Sequence, residues 1–287
     1  MTPYRLTWLA DVARSVGLTV IEEPGWRSRG APFLAPIAGV IGHHTAVKSS
    51  RPCPSTRLLI EGRPDLDGPL AQYQLCRDAE VHVIASGIAN HAGTGTWPGI
   101  PRLPKSLGGA NGNTVGIEAE NDGVGEVWPV AQMEAYAVLS AAVLDHLELD
   151  ESRWCAHYEW RRPIGFKLDP RGKWAGIGDW YDGKPWHAGA RLATANAFRA
   201  RVAEHLEDNW MGFTPDEKAL LLKGAQAALD SEARWDETAR LKLDEMYVDM
   251  EGFDHPEVLA GKVQAILDKV GAEPPRGDLD EPELPDD

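Results

Sequence analysis

Three residues that lie far apart in the sequence have side chains that could together bind a metal ion. His43 lies in the string GVIGHHTA, His157 in CAHYEW and Asp169 in KLDP. Two imidazole nitrogens and one carboxylate oxygen form a ligand set of catalytic zinc, which leaves a fourth position open for water. A single histidine is more often a surface or hydrogen-bonded core residue than a ligand. The three residue types together predict a metallohydrolase.

The sequence around these residues could bring them together. His43 follows the apolar run IAGVI, which predicts a short buried strand that ends at a sheet edge. His157 and Asp169 flank the segment RRPIGF, in which Pro163 and Gly165 predict a loop. Both side chains could therefore point into one pocket.

Two further groups near these residues could do proton and charge chemistry. The string TVGIEAEN alternates apolar and other residues, so a strand would place Glu118 and Glu120 on the face opposite its apolar residues. Lys167 stands two residues before Asp169, which in extended chain puts both side chains on one side. An ammonium there could stabilise negative charge on a carbonyl oxygen. The alternative for Lys167 is a solvated loop lysine.

Five strings in a fixed order resemble one enzyme family. GHHTA, NHAGTG, NTVGIEAEN, AHYEW and KLDP are similar to motifs of the zinc-dependent N-acetylmuramoyl-L-alanine amidases. This family includes phage lysis amidases (endolysins), bacterial muropeptide amidases and animal peptidoglycan-recognition proteins. The resemblance covers residues 35–205. Each string alone would be weak evidence, and the order and spacing of all five make the resemblance specific.

The resemblance implies a role for each matching residue. His43, His157 and Asp169 would bind one Zn²⁺ per chain, with aspartate in a place where some relatives have cysteine. Glu118 would be the general base that takes a proton from water and passes it to the leaving amine. Lys167 is the predicted oxyanion group.

The resemblance also implies a substrate groove in the NHAGTG segment. His91, Thr94 and Trp97 are the predicted substrate contacts, together with Glu120, which would otherwise support the site through hydrogen bonds. The alternative for the segment is a glycine-rich surface turn. Flat aromatic faces suit sugars, and several tryptophans lie near the motifs, although some of them must be core: Trp97, Trp154, Trp160, Trp174, Trp180 and Trp186.

Other residues compete for some of these roles. His44 is expected to be a bystander that is hydrogen-bonded to backbone, and His187 a weaker rival ligand because it lacks a nearby carboxylate. Phage lysozymes of this type carry a tyrosine where alignment places Ala71, so Tyr73 could take part in catalysis only if the register were shifted. Cys155 could be imagined as a thiol nucleophile, but buried cysteines are usually inert.

Composition narrows the class of protein. The chain has 287 residues, and 43% of them are hydrophobic, which suffices for a substantial core. Its net charge is −15. The three cysteines do not imply a complete disulfide framework. No apolar run approaches membrane-span length and the N-terminus is too polar for a signal peptide, so we expect cytoplasmic synthesis. The resemblance to phage lysis amidases implies action on the cell wall after release.

The acidity is concentrated after residue 210. That segment holds 20 of the 44 acidic residues and only 8 of the 29 basic ones. Without a basic stripe to neutralise phosphates, nucleic-acid binding there is disfavoured. We expect no nucleic-acid or membrane partner. Peptidoglycan is the expected partner, and the oligomeric state stays open.

Periodicity predicts an α/β fold with a mixed central β-sheet flanked by helices. The chain predicts a helix over residues 4–16 closed by Gly17, a strand in LTVIEE, a strand pair within residues 72–85 around a turn at Asp78, and an amphipathic helix over AQMEAYAVLSAAVLDHL after Pro129. This pattern agrees with the fold that the resemblance implies.

Four regions are predicted along the chain. Residues 1–34 form a helix and strand packed on the catalytic domain, and residues 35–205 form the zinc amidase domain. Residues 211–271 predict a small helical module, with a capping-box start at Thr214, Pro215 and Glu217. This module could bind the cell wall or serve an oligomerising or structural purpose. Residues 272–287 form an acidic, proline-rich disordered tail.

The resemblance implies a phage-type endolysin that cleaves the amide between the lactyl group of N-acetylmuramic acid and L-alanine. A cytosolic muropeptide-recycling amidase is an alternative. A non-catalytic peptidoglycan receptor is another, as is a regulatory protein that binds a polymerase. The host and the stem-peptide chemistry are not determined by the sequence.

Overall fold

The computed structural model describes residues 2–48, 51–160, 167–172 and 188–207, with backbone alone for residues 188–194. A six-stranded sheet is built from β1 (Val20–Glu22), β2 (Gly39–His44), β5 (Tyr73–Leu75), β6 (Val81–Val83), β7 (Thr114–Ala119) and β8 (Trp154–Ala156), and a two-stranded ribbon from β3 (Gly62–Arg63) and β4 (Leu66–Asp67). The helices are α1 (Leu9–Ser15), α2 (Thr56–Glu61), α3 (Val130–His146), α4 (His157–Trp160) and α5 (Ala188–Glu207).

The sheet is mixed and mostly parallel. Its strand order is β1-β6-β5-β7-β2-β8, and all neighbours run parallel except the antiparallel pair β5 and β6. The predicted α/β class with a mixed sheet is confirmed, and so is the strand pair within residues 72–85. Parallel pairing makes the carboxyl ends of β7, β2 and β8 meet at one edge, where ligands of such sheets commonly bind.

Alternation along the strands divides the sheet into two faces. Val40 lies in the main core, whereas Ile41 joins a separate apolar cluster with Cys155 and Trp160. His43, two residues after Ile41, lies on this second face. Its partner in the parallel register is Glu118 of β7. The two side chains therefore stand beside each other at the end of neighbouring strands.

Helix α3 covers the first face and is buried on all sides. Every residue from Val130 to Leu144 is buried, because α3 packs on the sheet with α1 and α5 against it. The predicted helix after Pro129 is confirmed, but the prediction that it is amphipathic is wrong. On this helix, Tyr136 Oη donates to the carbonyl oxygens of His43 and Ile117 at 3.0 and 3.2 Å and so ties α3 to β2 and β7.

The N-terminal helix is shorter than predicted. It begins at Leu9 and not near residue 4, because Tyr4 exchanges two backbone hydrogen bonds with Phe33 and Leu6 donates its N–H to Ser86. These partners take the backbone groups that a helix would need. The predicted stop at Gly17 is confirmed by its positive φ of 79°.

A disulfide joins Cys53 to Cys76, with 4.9 Å between the Cα atoms. The odd number of cysteines in the sequence left this pairing open. The bond ties the segment before α2 to the end of β5.

Several predictions concern residues outside the described part of the chain. They are the loop in RRPIGF at residues 161–166, the Trp186–His187 pair, the helical module over 211–271 and the tail over 272–287. These remain predictions. Within the described residues, the helices are all too short or too polar to span a bilayer.

Gly42 lies where the sheet leaves no room for a side chain. A Cβ there would lie 2.3 Å from Trp154 Cζ2 and 2.7 Å from Tyr136 Oη. We expect Gly42→Ala to lower the free energy of unfolding by about 1–3 kcal/mol, since added volume in a packed core is destabilising. The matched control is Gly125→Ala, where the nearest atom is 3.7 Å away, with an expected change within about 0.5 kcal/mol. Chemical denaturation of both variants measures this, and equal effects would contradict the packing argument.

Candidate metal centre and active site

The three predicted metal ligands meet at the carboxyl edge of the sheet. His43 Nδ1 lies 3.0 Å from His157 Nδ1 and 3.0 Å from Asp169 Oδ2, and His157 Nδ1 lies 2.8 Å from the same oxygen. Both imidazoles are buried, and the Asp169 side chain is 19% exposed. Three potential ligand atoms thus form one small triangle with an opening on the carboxylate side.

Each ligand is positioned by a different element. His43 lies near the end of β2, and His157 is the first residue of α4, directly after β8. Asp169 lies in the short described segment 167–172, where its carbonyl oxygen accepts a hydrogen bond from Tyr158 N at 2.9 Å. This hydrogen bond from α4 therefore holds Asp169 beside His157, the first residue of that helix.

The donor set fits a metal ion. His157 Nε2 lies 3.2 Å from the carbonyl oxygen of Ala92, which can only accept, so this nitrogen carries the proton and a neutral ring leaves a lone pair on Nδ1. That lone pair faces His43 Nδ1 and the carboxylate, an arrangement that needs a cation or a proton among the three atoms. Ligand atoms of tetrahedral zinc lie about 3.4 Å apart, given bonds of about 2.1 Å. The observed separations require only a small expansion.

The ionisation of the ligands also suits a metal. Burial, and next the neighbouring His157, lower the pKa of His43 to about 4, so this ring is neutral at neutral pH. Burial alone would raise the pKa of Asp169, but His157 and His43 hold it well below its usual range. Metal binding requires neutral imidazole and ionised carboxylate. Both forms are therefore present before a cation binds.

His44 is placed on the opposite face of β2, as expected of a bystander. Its Nδ1 accepts a hydrogen bond from Arg171 N at 3.2 Å, and its ring meets Trp128 edge to face. Trp128 in turn donates Nε1–H to the carbonyl of Arg171 at 2.9 Å. The expectation of a backbone-bonded histidine is confirmed, and these two side chains hold the segment that carries Asp169.

Glu118 stands beside the triangle with a carboxylate atom that no described group satisfies. Its Oε2 is buried and has no hydrogen-bond partner among the described residues. Burial is the largest cause that raises the pKa of Glu118 well above its ordinary value, and the negative charges of Asp169 and Glu120 add to it. A carboxyl group with a raised pKa is suited to general acid–base chemistry.

Glu120 has the opposite environment, although it is only two residues away. It is 1% exposed, and its two oxygens accept four hydrogen bonds, which come from Thr45 Oγ1, Ser55 N, Ser55 Oγ and Gln74 Nε2 at 2.6–3.0 Å. The structure thus places Glu120 in a supporting network that ties β7 to the segment before α2. It leaves little of this carboxylate for a substrate.

Lys167 lies close to the same site. It is partly buried, and its charge lowers the pKa of both Glu118 and His43. An ammonium at this position is near enough to the triangle to act on charge that develops there.

Tyr73 and Cys155 are both placed where catalysis is excluded. Tyr73 lies on the α1 side of the sheet, fully buried, and donates its hydroxyl to the carbonyl of Leu9 at 2.7 Å. Cys155 is buried in the apolar cluster with Ile41, and burial raises the pKa of its thiol well above the ordinary value. Its neutral thiol is therefore a packing group.

The predicted substrate segment divides into buried and open parts. His91 is 7% exposed and its Nδ1 lies 3.0 Å from His43 Nε2, so it contacts a predicted metal ligand. Thr94 is exposed. Trp97 is half-buried, with Arg199 5.0 Å from its ring centre, and lines a cavity of about 540 Å³ with Pro98.

The other tryptophans divide between core and undescribed chain. Trp154 and Trp160 are fully buried, so they are core residues and have no face open to sugar. Three further members of the predicted set lie outside the described residues: Trp174, Trp180 and Trp186.

The contrast between Glu118 and Glu120 predicts opposite effects on stability. The pKa of Glu118 in the folded, metal-free protein lies above its ordinary value of 4.5, so the folded state loses stability as pH rises from 4.5 through the raised pKa. We expect Glu118→Gln to raise the Tm of metal-free protein at neutral pH and to leave it unchanged below pH 4.5.

Glu120→Gln is the matched control for this measurement. It should lower the free energy of unfolding by about 1–3 kcal/mol, because an amide cannot accept all four hydrogen bonds. Thermal unfolding of both variants across pH measures the difference. A lower Tm for Glu118→Gln at neutral pH would refute the assignment of an unsatisfied carboxylate.

Comparison with known proteins finds one family that matches the part of the chain that carries this site. Residues 33–172, which are 140 of the 287 residues, match the family described as N-acetylmuramoyl-L-alanine amidase. No curated protein matches the chain in sequence.

Solved structures show more distant likeness. The amidase LysC from Clostridium intestinale is 15% identical, with 54% of this chain and 91% of that chain covered and a TM-score of 0.39. Staphylococcus aureus hydrolase AmiA is 13% identical, with 74% and 96% covered and a TM-score of 0.41. Drosophila PGRP-LB is 17% identical, with 50% and 85% covered and a TM-score of 0.38. The family match supports placing residues 33–172 among the N-acetylmuramoyl-L-alanine amidases.

Proposed function

We propose that the chain is a zinc-dependent amidase that hydrolyses the amide between the lactyl group of N-acetylmuramic acid and L-alanine in peptidoglycan. The observation that carries the proposal is the convergence of His43, His157 and Asp169 within 3.0 Å of one another, beside Glu118. The family match over residues 33–172 supports the substrate class.

The three ligand residues would hold one Zn²⁺. When bound, zinc supplies a Lewis acid for the scissile carbonyl and makes water a better nucleophile near neutral pH. The His43 imidazole is neutral and the Asp169 carboxylate is ionised at neutral pH, so these two residues together offer one negative charge to a divalent ion. The remaining positive charge favours the binding of a carbonyl oxygen.

Glu118 is the proposed general base. Its side chain lies on the same face as His43, in the neighbouring strand, and its Oε2 has no described partner that would compete for a proton. It takes a proton from the attacking water and later delivers it to the amine of the departing alanine. The raised pKa of this carboxyl group makes it a stronger base and so favours the uptake of the proton from water.

Lys167 is the proposed oxyanion group. As the water attacks, negative charge forms on the carbonyl oxygen, and a nearby ammonium lowers the energy of that state. Removal of one such donor costs about 3–4 kcal/mol in other enzymes. Lys167 has this position because it immediately precedes the Leu168–Asp169 pair that reaches the ligand triangle.

We further propose that the biological role is lysis of the cell wall, as in phage endolysins, with muropeptide recycling as the alternative. The predicted helical module after residue 210 supports lysis, since it gives the chain a region separate from the matched domain for contact with the wall. A receptor without catalysis is disfavoured because all three ligand types are present and converge.

The reaction can be identified from its products. Digestion of purified peptidoglycan should release stem peptides with a free N-terminal alanine and leave glycan strands intact, as detected by mass spectrometry. Excess chelator should abolish this, and stoichiometric zinc should restore it. Cleavage within glycan, or undiminished activity in chelator, would refute the proposal. Release from intact walls as well as from small muropeptides is expected of the lytic role, and release from muropeptides alone would favour recycling.

Glu118→Gln separates the base from the metal site. The variant should retain about one zinc per chain, since its three ligands are intact, and should lose about 10²–10⁴-fold in turnover. Metal analysis and hydrolysis of a soluble muropeptide measure the two quantities. Glu61→Gln, an exposed glutamate on α2, serves as the control with unchanged turnover. If Glu118→Gln turns over at the wild-type rate, the base is another group.

A further inference from the structure

We propose that His91 is a positioning residue that orients the zinc ligand His43, in place of the substrate contact that the sequence predicts. The inference rests on the proposed zinc site and goes beyond it by assigning a second group of residues that hold the ligands. The observation behind it is that His91 Nδ1 lies 3.0 Å from His43 Nε2, the ring nitrogen that points away from the ligand triangle.

The geometry of His43 determines which nitrogen carries its proton. Its Nδ1 faces His157 Nδ1 and Asp169 Oδ2, both at 3.0 Å, so a metal held by the triangle takes the lone pair of Nδ1. A neutral ring must then carry its hydrogen on Nε2. That N–H points at His91 Nδ1, which therefore accepts the hydrogen bond. Ligand histidines commonly donate their second N–H in this way, which fixes the tautomer and the ring orientation.

A chain of hydrogen bonds gives His91 the matching tautomer. With Nδ1 as the acceptor, the hydrogen of His91 is on Nε2, which lies 3.4 Å from Thr114 Oγ1. The Thr114 hydroxyl lies 3.2 Å from the carbonyl oxygen of Ala110. A carbonyl can only accept, so Thr114 donates to Ala110 and accepts from His91. The carbonyl of Ala110 thus sets the donor and the acceptor in each hydrogen bond of the chain that runs through Thr114 and His91 to His43.

The segment that carries His91 also holds the other histidine ligand. Ala92, the next residue, accepts the Nε2–H of His157 through its carbonyl oxygen at 3.2 Å. Asn111 Oδ1 accepts from the backbone N–H groups of both His91 and Ala92, at 3.3 and 2.8 Å. Two consecutive residues therefore orient both imidazoles, and one asparagine fixes these two residues.

The packing around His91 leaves little room for a substrate. The ring lies against β7 at Gly116, where a Cβ would come within 2.6 Å of His91 Cγ. With 7% of the residue exposed and both ring nitrogens engaged, His91 offers no free polar atom to a ligand. Its chemistry is directed at His43.

Two substitutions separate the acceptor from the bulk of the ring. His91→Asn keeps an acceptor oxygen close to the position of Nδ1, whereas His91→Leu fills similar space without an acceptor. Zinc affinity, measured by competition with a chelator of known affinity, should fall about 10–100-fold for His91→Leu. It should stay within a few-fold of wild type for His91→Asn. A substrate-contact role predicts instead unchanged zinc affinity and a raised KM for muropeptide.

The outcomes separate this inference from the proposed function. If the wild-type protein binds no zinc, both fail. If wild type binds zinc and His91→Leu binds it equally well, the positioning role alone is wrong. Equal loss in the Leu and Asn variants would also overturn it, because the shape of the ring and not its acceptor would then matter.

A second measurement needs no substitution. Long-range ¹H–¹⁵N correlation spectra of the zinc-loaded wild-type protein report the tautomer of each histidine. We expect a proton on Nε2 of His43 and on Nε2 of His91, with His91 Nδ1 unprotonated. A proton on His91 Nδ1 would overturn the proposed direction of the hydrogen bonds.

Discussion

The site depends on three lone-pair atoms that face one another at 2.8–3.0 Å. Two of them belong to buried imidazoles, and the third to a carboxylate that stays ionised. Burial lowers the pKa of His43 to about 4, so this imidazole is neutral at neutral pH. A cation or a proton among the three atoms would balance their electron density, and this geometry is the basis of the proposed zinc site.

The fold holds His43, His157 and Asp169 in fixed positions. His43 and His157 lie at or directly after the ends of adjacent parallel strands, β2 and β8. Asp169 lies in a segment fastened by Tyr158, His44 and Trp128. The strands themselves are held by α3, which is buried on every side. The carboxylates of β7 show how local context then assigns roles: Glu120 has four donors and Glu118 retains an unsatisfied oxygen.

The sequence predicted the parts of this picture that depend on residue type and short-range pattern. The α/β class, the strand pair around Asp78 and the bystander position of His44 are confirmed. The sequence-based prediction failed for features that depend on tertiary contacts. The burial of α3 on all sides depends on where α1 and α5 pack, which the periodicity of α3 does not encode. The placement of His91 against His43 needed the register of β2 on β7, because only Gly116 leaves space for the ring. The glycine within TVGIEAEN, Gly116, marks the space that the His91 ring occupies. This could not be recognised from the sequence without knowing which strand lies beside β7.

The adjacent pair His43–His44 has a consequence for how β2 must be built. Neighbouring strand residues point to opposite faces, so displacement of β2 by one position would exchange the two rings and still present an imidazole to each side. Histidine chemistry alone therefore cannot specify the correct alignment. Gly42 can, because any larger residue in its place would collide with Trp154 and Tyr136. Through steric exclusion, Gly42 thus determines which of the two histidines joins His157 and Asp169.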